Sequence, residues 1–261
     1  MISHPNKRVE NQKLKYVGKI FKSKRFGYFA IIDYNGCENV TIKFVDTGYV
    51  ATNITIGNIL KGEVKDLLFK GVCGIGYIGG TTYGTTTKIG KVKLYPVWVT
   101  MLNRCYSKKR KTLQPAYTDC LCSEEWHNFQ IFSEWCRCNL PRDEGIDYQL
   151  DKDILIKGNK IYSPATCCFV PARVNKLLEK STSARGNLPL GVRSVGSKYA
   201  AYASENRQQI HLGMFNTQED AFEAYRKEKL RIIKSVVSEY KDVLLPHVKE
   251  ALLNYDISID D

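Results

Sequence analysis

The stretch LPLGVRSVGSKYAAYASENRQQIHLGMFNTQEDAFEAYRKEKLRIIK, residues 188–234, decides the fold of the C-terminal part of the chain. Its runs LGVR, KYAAYAS and QIHLG predict three short strands, and the alternation in the last two favours a sheet with one packed and one solvated face. A helix is predicted to start at Thr217, because Thr217 and Asp220 are spaced as in a capping box and strong helix formers follow. The predicted core residues are Leu212, Phe215, Ala221, Ala224 and Tyr225.

The same stretch resembles the AP2 domain in the series G-V, K-Y-x-A, I-x-L-G-x-F-x-T-x-E-D-A and A-Y. AP2 domains lay a three-stranded sheet, backed by a helix, in the major groove, so the resemblance implies double-stranded DNA as the partner. The candidate DNA contacts are Arg193, Lys198, Tyr202, Arg207, Gln209 and His211. Arg can read guanine and Gln adenine, whereas Lys198 suits a phosphate. The alternative is that these are ordinary solvated strand residues.

Residues 95–178 have a different pattern. Aromatic and apolar residues from Tyr95 onward recur at helical spacing, and a second helix is predicted over residues 123–138 with Ser123 as its cap. YQLDKDIL, a Gly-Asn-Lys turn, CCFV and a short helix from Pro171 then give the order strand, loop, strand, helix.

The runs YPVWVTMLNRCY, EEWHNFQIFSEW, LDKDILIKGNKIYSPATCCFVP and ARVNKLL together resemble phage-encoded proteins related to HNH endonucleases. In that family a strand ends with a histidine, an ordered loop carries an asparagine, and a helix helps to hold one divalent metal. By position, Asp151 stands where the histidine would be, Asp153 follows, Asn159 lies in the loop and Asn175 on the helix. The resemblance therefore implies these four as catalytic residues, with Mg²⁺ or another divalent cation on Asp151, Asp153 and Asn175.

The sequence departs from the family because LDKDIL contains no histidine. An aspartate with an ordinary pKa of about 3.9 is a poorer general base than an imidazole near 6.5, although its oxygens suit a hard cation. Three interpretations stay open. The residues form a working single-metal site, with Lys152 or a nearby Arg facing the phosphate; the module is kept only for DNA docking; or Asp151 and Asn159 merely shape a turn around Gly158.

The N-terminal part is predicted to be strand-rich, in the runs YVGKIF, GYFAIIDY and NVTIKFV, with Asn35-Gly36 as a hairpin turn. The predicted fold class is α+β and multidomain: a small β-rich N-terminal domain, a central degenerate ββα-metal (HNH-like) module with flanking helices, and a C-terminal three-stranded sheet plus helix (AP2-like). The predicted boundaries are 1–70 for the β-rich domain, 71–94 for a Gly/Thr-rich linker, 95–181 for the HNH-like module, 186–237 for the AP2-like domain, and 238–261 for a C-terminal helix and acidic tail.

The 261-residue chain has a formal net charge of +12, which favours a polyanionic partner. Lys91, Lys93, Arg104, Lys108, Lys109, Arg110 and Lys111 concentrate part of this charge in residues 91–115. That stretch suits either a phosphate backbone or a solvated loop. The N-terminus has no apolar run typical of a signal peptide, and no segment approaches the ~20 apolar residues of a membrane helix. We expect no membrane partner, no small-molecule cofactor, and a cytoplasmic protein, of a bacterial host if it is phage-encoded.

Nine cysteines include Cys120-x-Cys122, Cys136-x-Cys138 and Cys167-Cys168. This spacing is tighter than the C-x₂₋₄-C typical of zinc sites, so no zinc is predicted. The combined resemblance implies a metal-dependent DNA endonuclease of the phage homing type. The alternatives are a non-catalytic DNA-binding or regulatory protein on a degenerate nuclease fold, and an RNA-binding or protein-interaction factor.

Overall fold

The computed structural model of this chain describes residues 7–141, 145–178, 188–206 and 208–261. Its helices and small sheets are of mixed α+β class, as predicted. The chain divides into two compact units, Met1–Thr85 with Glu124–Ser133, and Thr86–Ser123 with Glu134–Asp261.

The first unit contains a four-stranded antiparallel sheet in the order β1-β2-β3-β4. Its elements are α1 (Lys7–Tyr16), β1 (Ile20–Lys22), β2 (Tyr28–Tyr34), β3 (Val40–Phe44), β4 (Val50–Ile54) and α2 (Ile56–Leu60). Phe29 and Ile31 on β2 and Ile42 on β3 are fully buried, so the aromatic and β-branched runs form the core of the unit. The predicted turn at Asn35-Gly36 is confirmed, with the Asn35 amide donating to the Asn39 carbonyl at 2.9 Å. The helix α1 and the strand β4 were not predicted.

The remaining elements follow in chain order. They are β5 (Lys88–Ile89), β6 (Val92–Lys93), α3 (Leu94–Tyr106), α4 (Lys108–Leu113), β7 (Leu121–Cys122), α5 (Phe129–Asn139), β8 (Tyr148–Asp151), β9 (Ile161–Tyr162), β10 (Cys168–Pro171), α6 (Ala172–Leu177), β11 (Val192–Val195), β12 (Lys198–Glu205), β13 (Gln208–Phe215), α7 (Gln218–Glu239) and α8 (Pro246–Leu253). The strand, loop, strand, helix order of β8, β10 and α6 agrees with the prediction. The strand β8 pairs antiparallel with β10, with Asp151 opposite Cys168.

The helix predicted over residues 123–138 begins later than expected. Residues Glu124–His127 form a short 3₁₀ turn, and the α-helix starts at Phe129. The Asn128 side-chain oxygen accepts from the Gln130 amide at 2.9 Å and so satisfies a free donor of the first turn. Asn128, and not Ser123, is therefore the residue that caps α5.

Part of the segment predicted as a linker is hydrogen-bonded within the first unit. The Tyr77 amide donates to the His127 carbonyl at 2.9 Å, and the Tyr83 amide donates to the Gln130 side-chain oxygen at 2.8 Å. Gly79 has φ of +79°, and a Cβ there would lie 2.0 Å from Asn128 Oδ1. The glycines of this segment thus permit a close approach of backbone to side chain.

The second unit has an apolar core that joins the β8–β10–α6 arrangement to the C-terminal sheet and helices. One cluster contains Val170 and Val174 together with Ala201, Ala203 and Phe222. The predicted cap at Thr217 is confirmed, because its hydroxyl accepts from the Asp220 amide at 3.1 Å. The predicted core residues are buried in this cluster or packed against it: Leu212, Phe215, Ala221, Ala224 and Tyr225.

Candidate nucleic-acid interface

The sheet β11-β12-β13 has one face on the core and one face toward solvent. Val192, Ala201 and Ala203 belong to the core cluster, so the residues that alternate with them on the same strands point the other way. Arg193 on β11 and Tyr202 on β12 therefore lie on the outer face.

Cross-strand pairing places further predicted residues on this outer face. Tyr202 is directly opposite His211, and Gln209 is opposite Ser204, two residues along β12. Lys198 is exposed and adjoins Tyr199, which packs on the core. We define the outer face of the sheet by the five predicted contacts that it brings together, Arg193, Lys198, Tyr202, Gln209 and His211. The sixth, Arg207, lies outside the described residues.

Three of these side chains form a continuous row across all three strands. The Arg193 guanidinium lies over the Tyr202 ring, 4.8 Å from its centroid. The Tyr202 and His211 rings are 5.1 Å apart at an interplanar angle of 45°. A cation on an aromatic ring beside a second ring presents both charge and flat apolar surface at one place.

Asp151 ends strand β8 and shapes the turn that follows it. Its Oδ1 accepts from the backbone amides of Asp153 and Ile154, both at 2.8 Å. This is the local side-chain-to-backbone geometry that aspartate adopts in turns. The Asp153 side chain also interacts with this carboxyl group, so the two aspartates lie side by side at the end of the strand.

Asn159 closes the same loop from its far end. Its Nδ2 donates to the carbonyls of Lys152 and Ile161 at 2.6 and 2.7 Å, and its Oδ1 accepts from the Ile161 amide at 3.2 Å. The side chain is thereby fully used in ordering the loop. This agrees with the interpretation in which Asp151 and Asn159 shape the turn around Gly158.

Lys152 is buried, with 7% of the residue exposed. Its ammonium donates to Asp153 Oδ2 at 3.1 Å and to the Asn159 carbonyl at 2.9 Å. The expectation that Lys152 faces a phosphate is therefore wrong, because the charge is turned into the loop. It compensates Asp153 and stabilises the closed turn.

Asn175 on α6 faces the same side of β8 as Asp151. Its Nδ2 donates to Gln149 Oε1 at 2.8 Å, and Gln149 precedes Asp151 by two residues on the strand. Asp151 Oδ2, Asp153 Oδ1 and Asn175 Oδ1 are oxygen atoms of the kind that Mg²⁺ prefers. The Lys152 ammonium already lies beside Asp153, and its charge repels a metal cation at that position. Among the described residues, no group of three or more His, Cys, Asp or Glu side chains surrounds a point that a metal could occupy.

Burial raises the pKa of Asp151 from its ordinary value of 3.8 to about 6, with the nearby Asp153 carboxylate acting in the same direction. Arg104 on α3 is within electrostatic reach of Asp151. Burial disfavours the Arg104 charge, but the hydroxyls of Tyr162 and Tyr117 and the Asp151 carboxylate together raise its pKa. Arg104 Nη1 donates to the Tyr162 hydroxyl at 3.3 Å, so this arginine is part of the packed module.

Replacing Asp151 by Asn is expected to flatten the pH dependence of stability. The folded protein binds the Asp151 proton more tightly than the unfolded chain, so the free energy of unfolding falls as pH rises from about 4 to about 6. Asn keeps an acceptor oxygen for the two backbone amides and has no such proton. Denaturant unfolding in EDTA at about pH 4 and pH 7 should show the variant gaining on the order of 1–3 kcal/mol over the wild type. An equal pH dependence in both proteins would contradict a buried charge at Asp151.

The basic residues of the 91–115 stretch do not share one orientation. Lys91 Nζ donates to the Gly145 carbonyl at 3.0 Å, and Lys111 Nζ donates to the Thr118 carbonyl at 2.7 Å. Lys108 and Lys109 on α4 are exposed. Of the two interpretations, this distribution favours a solvated helix and loop over a continuous phosphate track.

The cysteines of the central part are mostly buried. Cys120, Cys122, Cys136, Cys167 and Cys168 are thiols and not half-cystines, and each has little exposed surface. Burial raises the pKa of Cys167 to about 12. These side chains behave as small apolar residues of the core.

Sequence reasoning missed Gln149 and Lys229, and it placed Arg104 only in the basic stretch of residues 91–115. Gln149 shares a strand face with Asp151, but its contact with Asn175 depends on the tertiary packing of α6 on β8. Lys229 is spaced four residues after Tyr225 and three before Ile232, on the buried stripe of α7. The sequence signal for Lys229 is its spacing, which places a lysine on the apolar stripe of the helix and so predicts that it is partly buried.

Comparison with known proteins gives no match to this chain among protein-family models, curated proteins or solved structures. Within the part of the chain that the structure describes, no helix combines the length and apolar character needed to cross a bilayer.

Proposed function

We propose that this protein binds double-stranded DNA through the outer face of the β11-β12-β13 sheet. The observation that carries the proposal is the row of Arg193, Tyr202 and His211 across three strands. Lys198 and Gln209 extend the row with a cation and an amide. A two- or three-stranded sheet is of a size that the major groove admits, and arginine and glutamine are side chains that read base edges there.

The charge of the chain supports a polyanionic partner. The net charge of +12 gives a long-range attraction to phosphate that is independent of sequence. The opposite face of the sheet is covered by α7, since Ala201 and Ala203 pack with Ala221 and Phe222. One face is therefore committed to the core, and the other carries the row of Arg193, Tyr202 and His211.

Fluorescence anisotropy with labelled duplex DNA tests this proposal. We expect saturable binding of the full chain that weakens steeply as salt is raised, because phosphate contacts release counterions. An RNA duplex of the same sequence should bind more weakly, since its deep, narrow major groove does not admit a sheet. Binding to RNA at least as tight as to DNA would favour the RNA-binding alternative and contradict the proposal.

Metal-dependent hydrolysis of DNA is a second candidate, favoured by the shared orientation of Asp151 and Asn175 about Gln149. A divalent cation held by the side-chain oxygens of Asp151, Asp153 and Asn175 would stabilise the scissile phosphate and the leaving oxygen. Asp151 and Asn159 also hold the turn, and Lys152 neutralises Asp153, so the same geometry suits a module retained for DNA docking.

Supercoiled DNA incubated with Mg²⁺, Mn²⁺ or EDTA distinguishes hydrolysis from docking alone. If the site is catalytic, nicking or linearisation requires the metal and falls by at least about 100-fold in Asp151→Asn, a loss in the range measured for single catalytic groups. The Asn variant keeps the acceptor for the Asp153 and Ile154 amides, so the turn stays formed. DNA retention without cleavage on several substrates would leave the docking function and exclude the catalytic one.

A further inference from the structure

A cavity of about 830 Å³ lies between α6, the C-terminal sheet and α7. Its walls include Lys176 and Leu177 on α6, Arg193 and Tyr202 on the sheet, and Lys229 on α7. The volume falls within the range of about 300–1,000 Å³ that is typical of small-molecule pockets. This cavity is distinct from the Asp151 turn, since none of the predicted metal ligands lines it.

The walls of the cavity are strongly basic. Four of its lining residues are cationic, namely Arg173, Lys176, Arg193 and Lys229. The acidic residue among them, Glu205, is already bound to Arg231 Nη2 at 2.8 Å. Arg173 is bound to Glu239, which leaves three cations of the lining without a carboxylate partner within the described ranges. Such a lining favours an anionic occupant.

Lys229 is the most unusual member of this lining. It is half-buried on the apolar stripe of α7 and makes no hydrogen bond or ion pair with any residue that the structure describes. Burial lowers its pKa, and no carboxylate opposes this. An ammonium removed from water without a partner is unfavourable, and an anion in the cavity would compensate it.

The rest of the lining is apolar or aromatic. Leu177, Leu190 and Ile232 form apolar surface, and the Tyr202 ring borders the cavity where the outer face of the sheet begins. The amide of Gln209 supplies a hydrogen-bonding group at the same border. A flat, partly polar ring system beside a phosphate matches this combination of surfaces.

We propose that this cavity holds one nucleoside monophosphate, with its phosphate on Lys229 and its base against the apolar wall beside Tyr202. The proposal rests on the DNA-binding function, because Arg193 and Tyr202 belong to both the cavity and the outer face of the sheet. The nucleotide is either free or a unit of a DNA strand, and the two sources share the same chemistry.

Calorimetric titration of the full chain with deoxyadenosine 5′-monophosphate is the test. We expect saturable binding at one site per chain, and at least tenfold weaker binding of deoxyadenosine and of inorganic phosphate. Lys229→Met should weaken the nucleotide at least tenfold, and Lys176→Met on the opposite wall should weaken it less. Lys227→Met, on the exposed side of α7, is the matched control and should bind as the wild type does.

The variants also separate this proposal from its alternatives. Lys229→Met removes an unpaired half-buried charge, so its thermal midpoint should not fall, and weaker binding cannot then be attributed to unfolding. A 5′-phosphorylated single strand that binds more tightly than the free nucleotide, and is weakened by Lys229→Met, identifies a strand unit as the occupant. Tighter binding of the free nucleotide than of the phosphorylated strand identifies the free nucleotide as the occupant.

Absence of nucleotide binding up to millimolar concentration, or equal binding by Lys229→Met and the wild type, would overturn the proposal. Duplex DNA is titrated against the same preparations. Duplex binding that persists without nucleotide binding refutes the cavity site alone. If the wild type binds neither the nucleotide nor duplex DNA, the DNA-binding function is refuted as well.

Discussion

The double replacement of Arg193 and Tyr202 by Ala is expected to weaken duplex DNA binding by at least about 100-fold. A good arginine contact to a base is worth about 1–3 kcal/mol, and about 1.4 kcal/mol corresponds to a factor of ten. The Tyr202 ring supports the guanidinium, which lies 4.8 Å from its centroid, so the two losses reinforce each other. Anisotropy at fixed salt measures the effect, with Tyr202→Phe retaining the ring.

The control for this prediction is Lys234→Ala. Lys234 is exposed on α7, the helix that covers the opposite face of the sheet, and its loss removes a cation of the same charge. General attraction between the chain and DNA predicts similar losses for Lys234→Ala and Arg193→Ala. A specific interface on the outer face predicts a loss below about twofold for Lys234→Ala.

Gly191→Ala is expected to destabilise the second unit by roughly 3–5 kcal/mol, because two costs combine. Gly191 has φ of +75°, a conformation that alanine adopts only with strain. An added Cβ would also lie 2.1 Å from the ring of Tyr225, which is buried in the core. The Gly191 carbonyl accepts from the Tyr202 amide at 2.7 Å, so the residue cannot shift without disturbing the sheet.

Gly196→Ala isolates the backbone part of that effect. Gly196 has φ of +61°, and its added Cβ would meet nothing within 4 Å. Only the conformational cost of roughly 1–2 kcal/mol should remain. Denaturant unfolding of both variants measures the difference, and equal destabilisation would show that Tyr225 does not pack against Gly191 as described.

Local signals were sufficient to predict much of the second unit. Thr217 and Asp220 indicate the start of α7 because the cap is formed by neighbours in sequence. Alternation around Tyr202 indicates its outward face, because Ala201 and Ala203 are small enough to pack beneath α7. These signals depend on a few adjacent residues, and so they can be interpreted without knowledge of the tertiary structure.

The features that escaped prediction depend on distant contacts. Asn128 caps α5 in place of Ser123. The Asn128 side chain also packs closely against the backbone at Gly79, nearly fifty residues earlier in the chain. The pairing of Gln149 with Asn175 depends on how α6 packs on β8. Burial of Lys152 follows from loop closure by Asn159. In each case the sequence offers a polar residue whose partner is set only by the fold.

Photo-crosslinking of duplex DNA that carries 5-bromodeoxyuridine tests the central claim most directly. After irradiation of the full chain on DNA, mass spectrometry locates the crosslinked residues. Crosslinks on β11, β12 and β13, with Tyr202 and His211 among them, are the predicted result. Crosslinks confined to the first unit or to residues 91–115, with none on the outer face of the sheet, would contradict the account.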